Sequence, residues 1–239
     1  MTVLVTGASG GIGSAVARAF LERGFDTVLN YNKNCEAALA LEAQFPAHAA
    51  AIAADVRDHS AVKAMFEAAR RLFGQVDILV NCAGVDSIGC FQLLADEELD
   101  RILDTNIKGT YFCCEEAFRQ MNAEKKGIII NISSIWGVRG ASCEAAYSAS
   151  KAAVIGLTQA LADELAPSGI RVNCIAPGVI DTPMNACLDE QSTEQLRQMT
   201  PLGRIGTAED VVRAVLFLSG EDSSFITGQT LTVDGGFLK

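Results

Sequence analysis

Short apolar runs and longer segments with helical spacing alternate along the 239 residues of the chain. The apolar runs are TVLVT, DTVLNY, AAAIAADV, VDILVNCAG, GIIINISS, IRVNCIAPG and TLTVDGG. Runs of this length and composition are typical of strands that are buried on both faces of a sheet. The segments between them, among them IGSAVARAFLERG, NCEAALALEAQF and AVKAMFEAARRLFG, have the length and periodicity of helices. The alternation predicts an α/β fold, a doubly wound parallel sheet of about seven strands with helices on both faces.

A glycine-rich segment, TGASGGIG, follows the first apolar run and opens the first helical segment. Gly7, Gly11 and Gly13 allow a tight turn there, and the start of the helix offers free N–H groups to a phosphate. A glycine cluster alone also fits a purely structural turn, but its strand–turn–helix position favours a dinucleotide site. Because no linker or repeat interrupts the chain, we predict one domain over residues 1–239, a single-domain Rossmann fold.

The end of the second predicted strand bears on which nicotinamide cofactor binds. Residues 29–33 read LNYNK, without the acidic residue that usually binds the ribose 2′-hydroxyl of NAD. Lys33, Asn32 and Ser9 offer a cation and polar groups to a 2′-phosphate instead, so NADP(H) is favoured over NAD(H). Position 10 is Gly10, where NADP enzymes often have an arginine, and a solvated Lys33 is the alternative interpretation.

The pentapeptide YSASK, residues 147–151, opens an apolar segment that is predicted to be a helix. On a helix, Tyr147 and Lys151 are four residues apart and therefore share one face. An ammonium beside a phenol favours the phenolate and lowers the pKa of tyrosine, which makes the pair a candidate proton donor. An exposed tyrosine and a solvated lysine are the alternative for so short a motif.

The composition limits the classes of partner and of site. Acidic side chains outnumber basic ones and give a formal net charge of −10, so neither nucleic acid nor a membrane is expected as a partner. The chain shows no targeting segment and no apolar run of the ~18 residues that span a bilayer, which favours a cytoplasmic protein. His48 and His59 lie in unrelated segments and no CxxC pair occurs, so no metal site is expected.

Over its whole length the sequence resembles the short-chain dehydrogenase/reductase family. TGASGGIG matches the cofactor loop of that family, NCAG matches its NAG motif, and the four-residue step from Tyr147 to Lys151 matches its catalytic pair. By this resemblance the catalytic residues are Asn106, Ser134, Tyr147 and Lys151. With the residues after the second strand included, cofactor contacts are expected from Gly7, Ser9, Gly11, Ile12, Gly13, Tyr31, Asn32, Lys33, Asp55, Val56, Asn81, Ala83, Gly84, Tyr147, Lys151, Pro177, Gly178, Ile180 and Thr182.

The resemblance implies a reaction as well, the reduction of a ketone to a secondary alcohol with hydride from the nicotinamide. Tyr147 would give the proton as general acid. Lys151 would lower the tyrosine pKa from its usual value of about 10 and bind the nicotinamide ribose. Ser134 would hold the carbonyl oxygen, and Asn106 would hold a water that links Lys151 to solvent.

Two narrower resemblances suggest different ketones. The segment PLGRIGTAEDVVRAVLFLS is typical of the β-ketoacyl-carrier-protein reductases and their relatives. The stretch SSIWGVRGASCEAAYS resembles instead the reductases of a 5-aminopentanone group on modified elongation factor P. We expect Trp136 and Glu144 to contact the substrate, and in the second alternative the Glu144 carboxylate attracts a terminal ammonium. A non-catalytic NADP-binding sensor is a lesser alternative, because silent members usually lack the tyrosine or the lysine.

The segment 182–204 is predicted to form a lid over a small-molecule or protein-bound ketone. Its apolar residues are Met184, Leu188, Leu196 and Met199, for which plain packing against the domain is an equal alternative. Helices around 96–120 and 145–166 pair subunits in the family, so the resemblance implies a homotetramer.

Overall fold

A seven-stranded sheet runs through the centre of the molecule in the computed structural model, which describes residues 1–183 and 189–238. Its strands are β1 (Thr2–Thr6), β2 (Asp26–Tyr31), β3 (Ala49–Ala53), β4 (Val76–Asn81), β5 (Gly127–Ile132), β6 (Ile170–Pro177) and β9 (Thr230–Val233). Their order is β3-β2-β1-β4-β5-β6-β9, and every neighbouring pair is parallel. Two short parallel strands, β7 (Ile180–Asp181) and β8 (Gly206–Thr207), form a separate pair.

The described residues form nine α-helices in addition to the strands. They are α1 (Gly11–Leu21), α2 (Glu36–Gln44), α3 (His59–Phe73), α4 (Asp96–Leu103), α5 (Gly109–Glu124), α6 (Ile135–Val138), α7 (Ala145–Leu165), α8 (Glu190–Met199) and α9 (Ala208–Ser219). None of these helices is long and apolar enough to cross a membrane.

The helices cover both faces of the sheet and enclose two apolar cores. Helices α1, α2 and α9 pack in one core, and α3, α5 and α7 pack in the other. On β1, Val3 and Val5 belong to the first core, whereas Leu4 between them belongs to the second. A strand with two buried faces reads as a continuous apolar run, which is why the sequence pattern was informative. The predicted doubly wound α/β fold with seven strands is confirmed.

Two predicted elements differ from the structure. The sequence pattern predicts the third strand over residues 49–56, but β3 ends at Ala53. A turn follows, closed by a hydrogen bond of 3.0 Å from the Asp58 N–H to the Asp55 carbonyl. The helical stretch around 96–120 is interrupted by a π-helical turn at Asp104–Lys108. Single π turns of this kind occur mostly inside α-helices and often at functional sites.

Helix α8 lies within the predicted lid, residues 182–204. Met184 and Leu188 lie outside the described residues, so the structure does not test their predicted position. Met199 is 61% exposed, which is not the position of a core residue. Leu196 lines the cavity at the carboxyl end of the sheet. Coverage of a bound substrate by this segment stays a prediction.

Candidate active site

The first strands of the sheet carry a crevice at their carboxyl ends. The chain leaves β1 towards β2 on one side, while β4 pairs with β1 on the other side. Ligands of open parallel sheets bind at such a switch point of the strand order. Thr6, the last residue of β1, joins the two sides, because its Oγ1 accepts hydrogen bonds from the backbone N–H groups of Cys82 and Ala83, both at 3.1 Å.

The glycine-rich loop forms one side of the crevice. Gly7 has a φ of 64°, and a Cβ atom there would lie 2.8 Å from the backbone of Ala83. A Cβ atom on Gly13 would collide with the backbone of Gly7. The buried Asn30 holds the loop from β2, since its Oδ1 accepts the N–H of Gly7 at 3.3 Å. Helix α1 begins at Gly11 without a side-chain cap from the described residues, which leaves its first N–H groups available to a phosphate.

The predicted contacts for the adenosine end of the cofactor lie at β2 and in the loop after β3. Asn32 and Lys33 are exposed directly after β2. Asp55 faces a cation of its own, because its carboxylate pairs with the Arg57 guanidinium at 2.6 Å. The hydrogen bond from Arg57 also lowers the pKa of Asp55. The local charge after β2 is therefore not acidic, and the residues present fit a cofactor with a 2′-phosphate.

Asn106 lies in the π turn and is fully buried. Its Oδ1 accepts the N–H of Val85, and its Nδ2 donates to the carbonyl of Val85, both at 2.8 Å. The same Nδ2 donates to Oγ of Ser150 on α7 at 2.9 Å. Asn106 therefore fastens the loop after β4 to α7, and the water that it is expected to hold stays a prediction.

Ser134 follows β5 and caps the short helix α6. Its Oγ accepts the backbone N–H of Trp136 at 3.1 Å, and the side chain is buried. The Ser134 hydroxyl acts to lower the pKa of the Tyr147 phenol, against the larger effect of burial. Because Oγ already accepts from the backbone, its own O–H remains to be donated to the phenol or to a substrate carbonyl.

Tyr147 and Lys151 share the start of α7, as the sequence predicts, and both are buried. Lys151 Nζ donates to the carbonyl of Ile132 at 3.0 Å and lies 5.7 Å from the centroid of the tyrosine ring. A Cβ atom added to Gly84 would lie only 3.1 Å from that Nζ, so the loop after β4 closes directly over the ammonium.

The predicted effect of Lys151 on the tyrosine is wrong for this structure. Burial, with smaller contributions from the carboxylates of Asp86 and Glu144, raises the pKa of Tyr147 to about 12. Burial also lowers the pKa of Lys151 to about 8. Loss of hydration disfavours the charged form of each group, and burial is the largest cause of both shifts. At neutral pH the free protein therefore holds a neutral phenol beside a protonated lysine.

A cavity of about 280 Å³ joins these groups at the crevice. Of the predicted site residues, it is lined by Ile12, Gly84, Ser134, Trp136, Glu144, Tyr147, Lys151, Pro177, Gly178, Ile180 and Thr182. The others do not line it; they are Gly7, Ser9, Gly11, Gly13, Tyr31, Asn32, Lys33, Asp55, Val56, Asn81, Ala83 and Asn106. The structure thus gathers most of the expected nicotinamide and substrate contacts in one cavity. The expected adenosine contacts lie outside it, and so do Asn81, Ala83 and the catalytic candidate Asn106.

Two cavity residues of note were missed at the sequence level. Asp86 lies in the loop after β4, and its charge acts with burial to raise the pKa of Glu144. Ile88 lines the cavity while remaining 64% exposed. Both follow the NCAG motif without any periodicity of their own, so only the fold shows that they line the same cavity as Tyr147 and Lys151.

A second group of ionisable side chains lies on α3 and α5. His59, Glu115 and Glu116 bring potential metal-ligand atoms within 4.8 Å of one another. The Arg119 guanidinium already binds both carboxylates, with Nε 3.3 Å from Glu116. These contacts explain the cluster as an ion-pair network, and the expected absence of a metal stays a prediction.

Comparison with known proteins places this site in a family. Residues 7–238 match the family model described as enoyl-(acyl carrier protein) reductase. The chain is 40% identical over 238 residues to a 3-oxoacyl-[acyl-carrier-protein] reductase of Staphylococcus aureus, with 98% of this chain and 97% of that protein covered. It is 37% identical over 238 residues to the enzyme of the same name from Chlamydia trachomatis, with 98% and 96% covered.

A solved structure agrees with the fold. A protein from Brucella melitensis described as ribose-5-phosphate isomerase superposes with a TM-score of 0.92 at 35% identity, with 99% of this chain and 91% of that chain covered. Its described activity differs from that of the curated relatives, so the likeness supports the fold alone. The family model and the curated relatives show that the chain belongs to the short-chain dehydrogenase/reductase family, as an NAD(P)-dependent oxidoreductase that acts on a CH–OH or ketone group.

Proposed function

We propose that the protein reduces a ketone to a secondary alcohol with NADPH, and that a 3-oxoacyl thioester is the leading substrate. The convergence of Ser134, Tyr147 and Lys151 on one cavity supports the reaction. The curated relatives named 3-oxoacyl-[acyl-carrier-protein] reductase support the substrate class. The four-residue step from Tyr147 to Lys151 and the adjacent Ser134 suit a carbonyl oxygen, which needs both a hydrogen-bond donor and a proton.

The nicotinamide supplies the hydride, and the side chains of this chain handle the oxygen. Tyr147 is protonated at neutral pH, since burial raises its pKa to about 12, and it gives its proton to the oxygen. Ser134 donates its free O–H to the same oxygen and fixes the carbonyl beside the phenol. The Lys151 ammonium stabilises the phenolate that remains after proton transfer.

The choice of NADPH rests on the surface after β2. Lys33 and Asn32 are exposed there, and the charge of Asp55 is compensated by Arg57. A 2′-phosphate gains from a nearby cation, whereas the 2′-hydroxyl of NAD usually needs a carboxylate at the end of β2. That strand ends at Tyr31. This surface therefore favours NADPH.

A second candidate substrate is a ketone with a cationic group, as in the 5-aminopentanone of the alternative resemblance. The observation that favours it is the acidic side of the cavity, where Asp86 and Glu144 both contribute lining atoms. Burial, together with repulsion from Asp86, raises the pKa of Glu144. A bound cation would relieve that repulsion, and a protonated amine would in addition gain charge-assisted hydrogen bonds.

One screen separates the two candidates. NADPH oxidation is followed at 340 nm with an acetoacetyl thioester, with a trimethylammonium ketone, and with the uncharged tert-butyl isostere of that ketone. Neither ketone can cyclise, because neither carries an N–H group. The two have the same shape and differ in charge alone. Turnover of none of the three by the unmodified protein would contradict the proposed reaction.

Substitutions then identify the source of any preference for the cation. Glu144→Gln and Asp86→Asn should each raise KM for the trimethylammonium ketone several-fold and leave KM for its neutral isostere unchanged, since a partly exposed ion pair is worth about 1 kcal/mol or less. Equal effects on both ketones would show that the carboxyl groups only shape the cavity, and the thioester would stand as the substrate. The homotetramer and the cytoplasmic location stay predictions.

A further inference from the structure

The indole of Trp136 is held by a residue far away in the sequence. Trp136 lines the cavity, directly after Ser134 and Ile135 at the start of α6. Its ring meets the ring of Phe237 edge to face, with centroids 5.9 Å apart and an interplanar angle of 79°. Aromatic pairs prefer this geometry and gain from it beyond the burial of their area.

Phe237 is itself fixed by a tight turn after β9. The carboxylate of Asp234 accepts the N–H of Gly236 at 2.9 Å and the N–H of Leu238 at 2.8 Å. The N–H of Phe237 donates to the carbonyl of Asp234 at 3.2 Å. The backbone at Phe237 and on both sides of it is therefore bonded to one residue, Asp234, which restricts the position of the ring.

The same turn presses against the loop that is expected to hold the nicotinamide. A Cβ atom on Gly178 would lie 2.8 Å from Cα of Asp234, so the two segments touch at backbone distance. Gly178 lines the cavity together with Trp136. One rigid turn thus sets the positions of two parts of the cavity wall.

Trp136 is also tied to the reacting centre through its backbone. Its N–H donates to Oγ of Ser134 at 3.1 Å. Ser134 and Tyr147 both line the cavity, and the Ser134 hydroxyl acts to lower the pKa of the phenol. A displaced indole would therefore change the wall next to the two groups that are proposed to hold the carbonyl oxygen.

We propose that Phe237 is a positioning residue that sets the orientation of Trp136 and thereby the fit of the substituent beside the carbonyl. This inference rests on the proposed function for its kinetic consequence, but the orientation of the indole is independent of it. Substrates with a bulky substituent next to the carbonyl should depend on the contact, whereas small ketones should not.

Fluorescence reports the contact directly, because Trp136 is the one tryptophan in the 239 residues. Phe237→Ala should change the emission maximum and intensity of Trp136 and its quenching by acrylamide. Phe237→Leu retains part of the apolar contact and should give an intermediate spectrum. Phe225→Ala is the matched control, because the Phe225 side chain is fully exposed and its loss should leave the spectrum unchanged.

Kinetics test the consequence. Phe237→Ala should raise KM for an acetoacetyl thioester roughly three- to tenfold, the range expected for loss of one edge-to-face aromatic contact. The kcat value and the Kd for NADPH should stay within about twofold of those of the unmodified protein. In a Trp136→Ala background the same change should have little further effect on KM, since coupled residues are not additive.

The two levels of failure are distinguishable. If the unmodified protein reduces no ketone, the proposed function fails and the fluorescence arm still tests the contact. If Phe237→Ala leaves both the Trp136 spectrum and the KM unchanged in a folded protein, the positioning role is refuted. The positioning role would also be overturned if both Phe237 variants showed the same fall in kcat, the same rise in KM and the same fall in thermal stability. Such a pattern indicates a merely structural residue.

Discussion

Lys151 carries an electrostatic cost that the fold has to tolerate. Its side chain is 5% exposed, and burial lowers its pKa from 10.5 to about 8. Each unit of pKa difference between the folded and unfolded states is equivalent to about 1.4 kcal/mol. The charged lysine therefore destabilises the fold by about 3 kcal/mol at neutral pH, and we predict that Lys151→Met removes this cost together with the activity.

The sign of the effect follows from where the protons bind. Below pH 8 both the folded and the unfolded chain hold the proton on Lys151, and the whole cost is present. Between pH 8 and 10.5 the unfolded chain still holds the proton while the folded chain has lost it, so stability rises with pH. From these two pKa values, the unmodified protein should gain about 2 kcal/mol from Lys151 between pH 7 and pH 9.5.

Urea unfolding at pH 7 and pH 9.5 measures that gain. Both proteins are compared at one chain concentration, because association shifts apparent stability. The quantity of interest is the change in the free energy of unfolding between the two pH values, taken for the unmodified protein and for Lys151→Met. The other titrating groups are common to both and largely cancel; Cys82 and Cys174, whose pKa values Lys151 lowers, stay protonated up to pH 9.5 because burial raises their pKa values to about 12 and about 11.

The Ile132 carbonyl, which accepts from Lys151 Nζ in the structure, loses its donor in the variant. That loss costs about 1–3 kcal/mol, so the variant need not be more stable at pH 7. It does not depend on pH in this range, and the comparison between pH values is unaffected. If the two proteins respond equally to pH, Lys151 is not buried with a lowered pKa, and the argument from burial is refuted.

Three other predictions follow from the same geometry. Tyr31→Asp should reverse the cofactor preference, because a carboxylate repels a 2′-phosphate and accepts the ribose hydroxyl; tighter NADH than NADPH binding by the unmodified protein would count against this. Gly84→Ala places a Cβ atom 3.1 Å from Lys151 Nζ and 3.4 Å from Asn106 Oδ1, so kcat should fall roughly tenfold or more. Gly89→Ala in the same loop is the control, because a Cβ atom there meets open space. The kcat/KM for ketone reduction should decline as pH rises through about 8, where Lys151 loses its proton, and a profile flat to pH 10 would exclude that role.

The sequence pattern predicted the sheet well because of how a parallel sheet is buried. Strands such as β1, with residues in both apolar cores, leave continuous apolar runs that differ from the helical segments. The sequence also predicts the glycine loop, because Gly7 and Gly13 have no room for a Cβ atom and the turn therefore requires glycine at both positions. The four catalytic candidates came from family resemblance, and spacing alone would have suggested only Tyr147 with Lys151.

The remaining features depend on how deeply a side chain is buried and on contacts between segments that are far apart in the sequence. A linear pattern shows neither. The direction of the Tyr147 pKa was wrong because the pairing with Lys151 is visible in sequence and the burial of the phenol is not. The effect of Asp86 on Glu144 and the contact of Trp136 with Phe237 join segments that only the topology brings together. The π turn at Asp104–Lys108 contains no proline or glycine, so its sequence does not predict an interruption of the helix.

The most direct test of the central claim is the turnover of Tyr147→Phe. The variant keeps the ring and loses only the hydroxyl that is proposed to protonate the substrate oxygen. With an acetoacetyl thioester, or with any ketone that the screen identifies, NADPH oxidation should fall by at least ~10²-fold, the usual scale for a general acid. The Kd for NADPH, measured by fluorescence titration, should remain close to that of the unmodified protein. Near-normal turnover by a folded Tyr147→Phe protein would contradict the account.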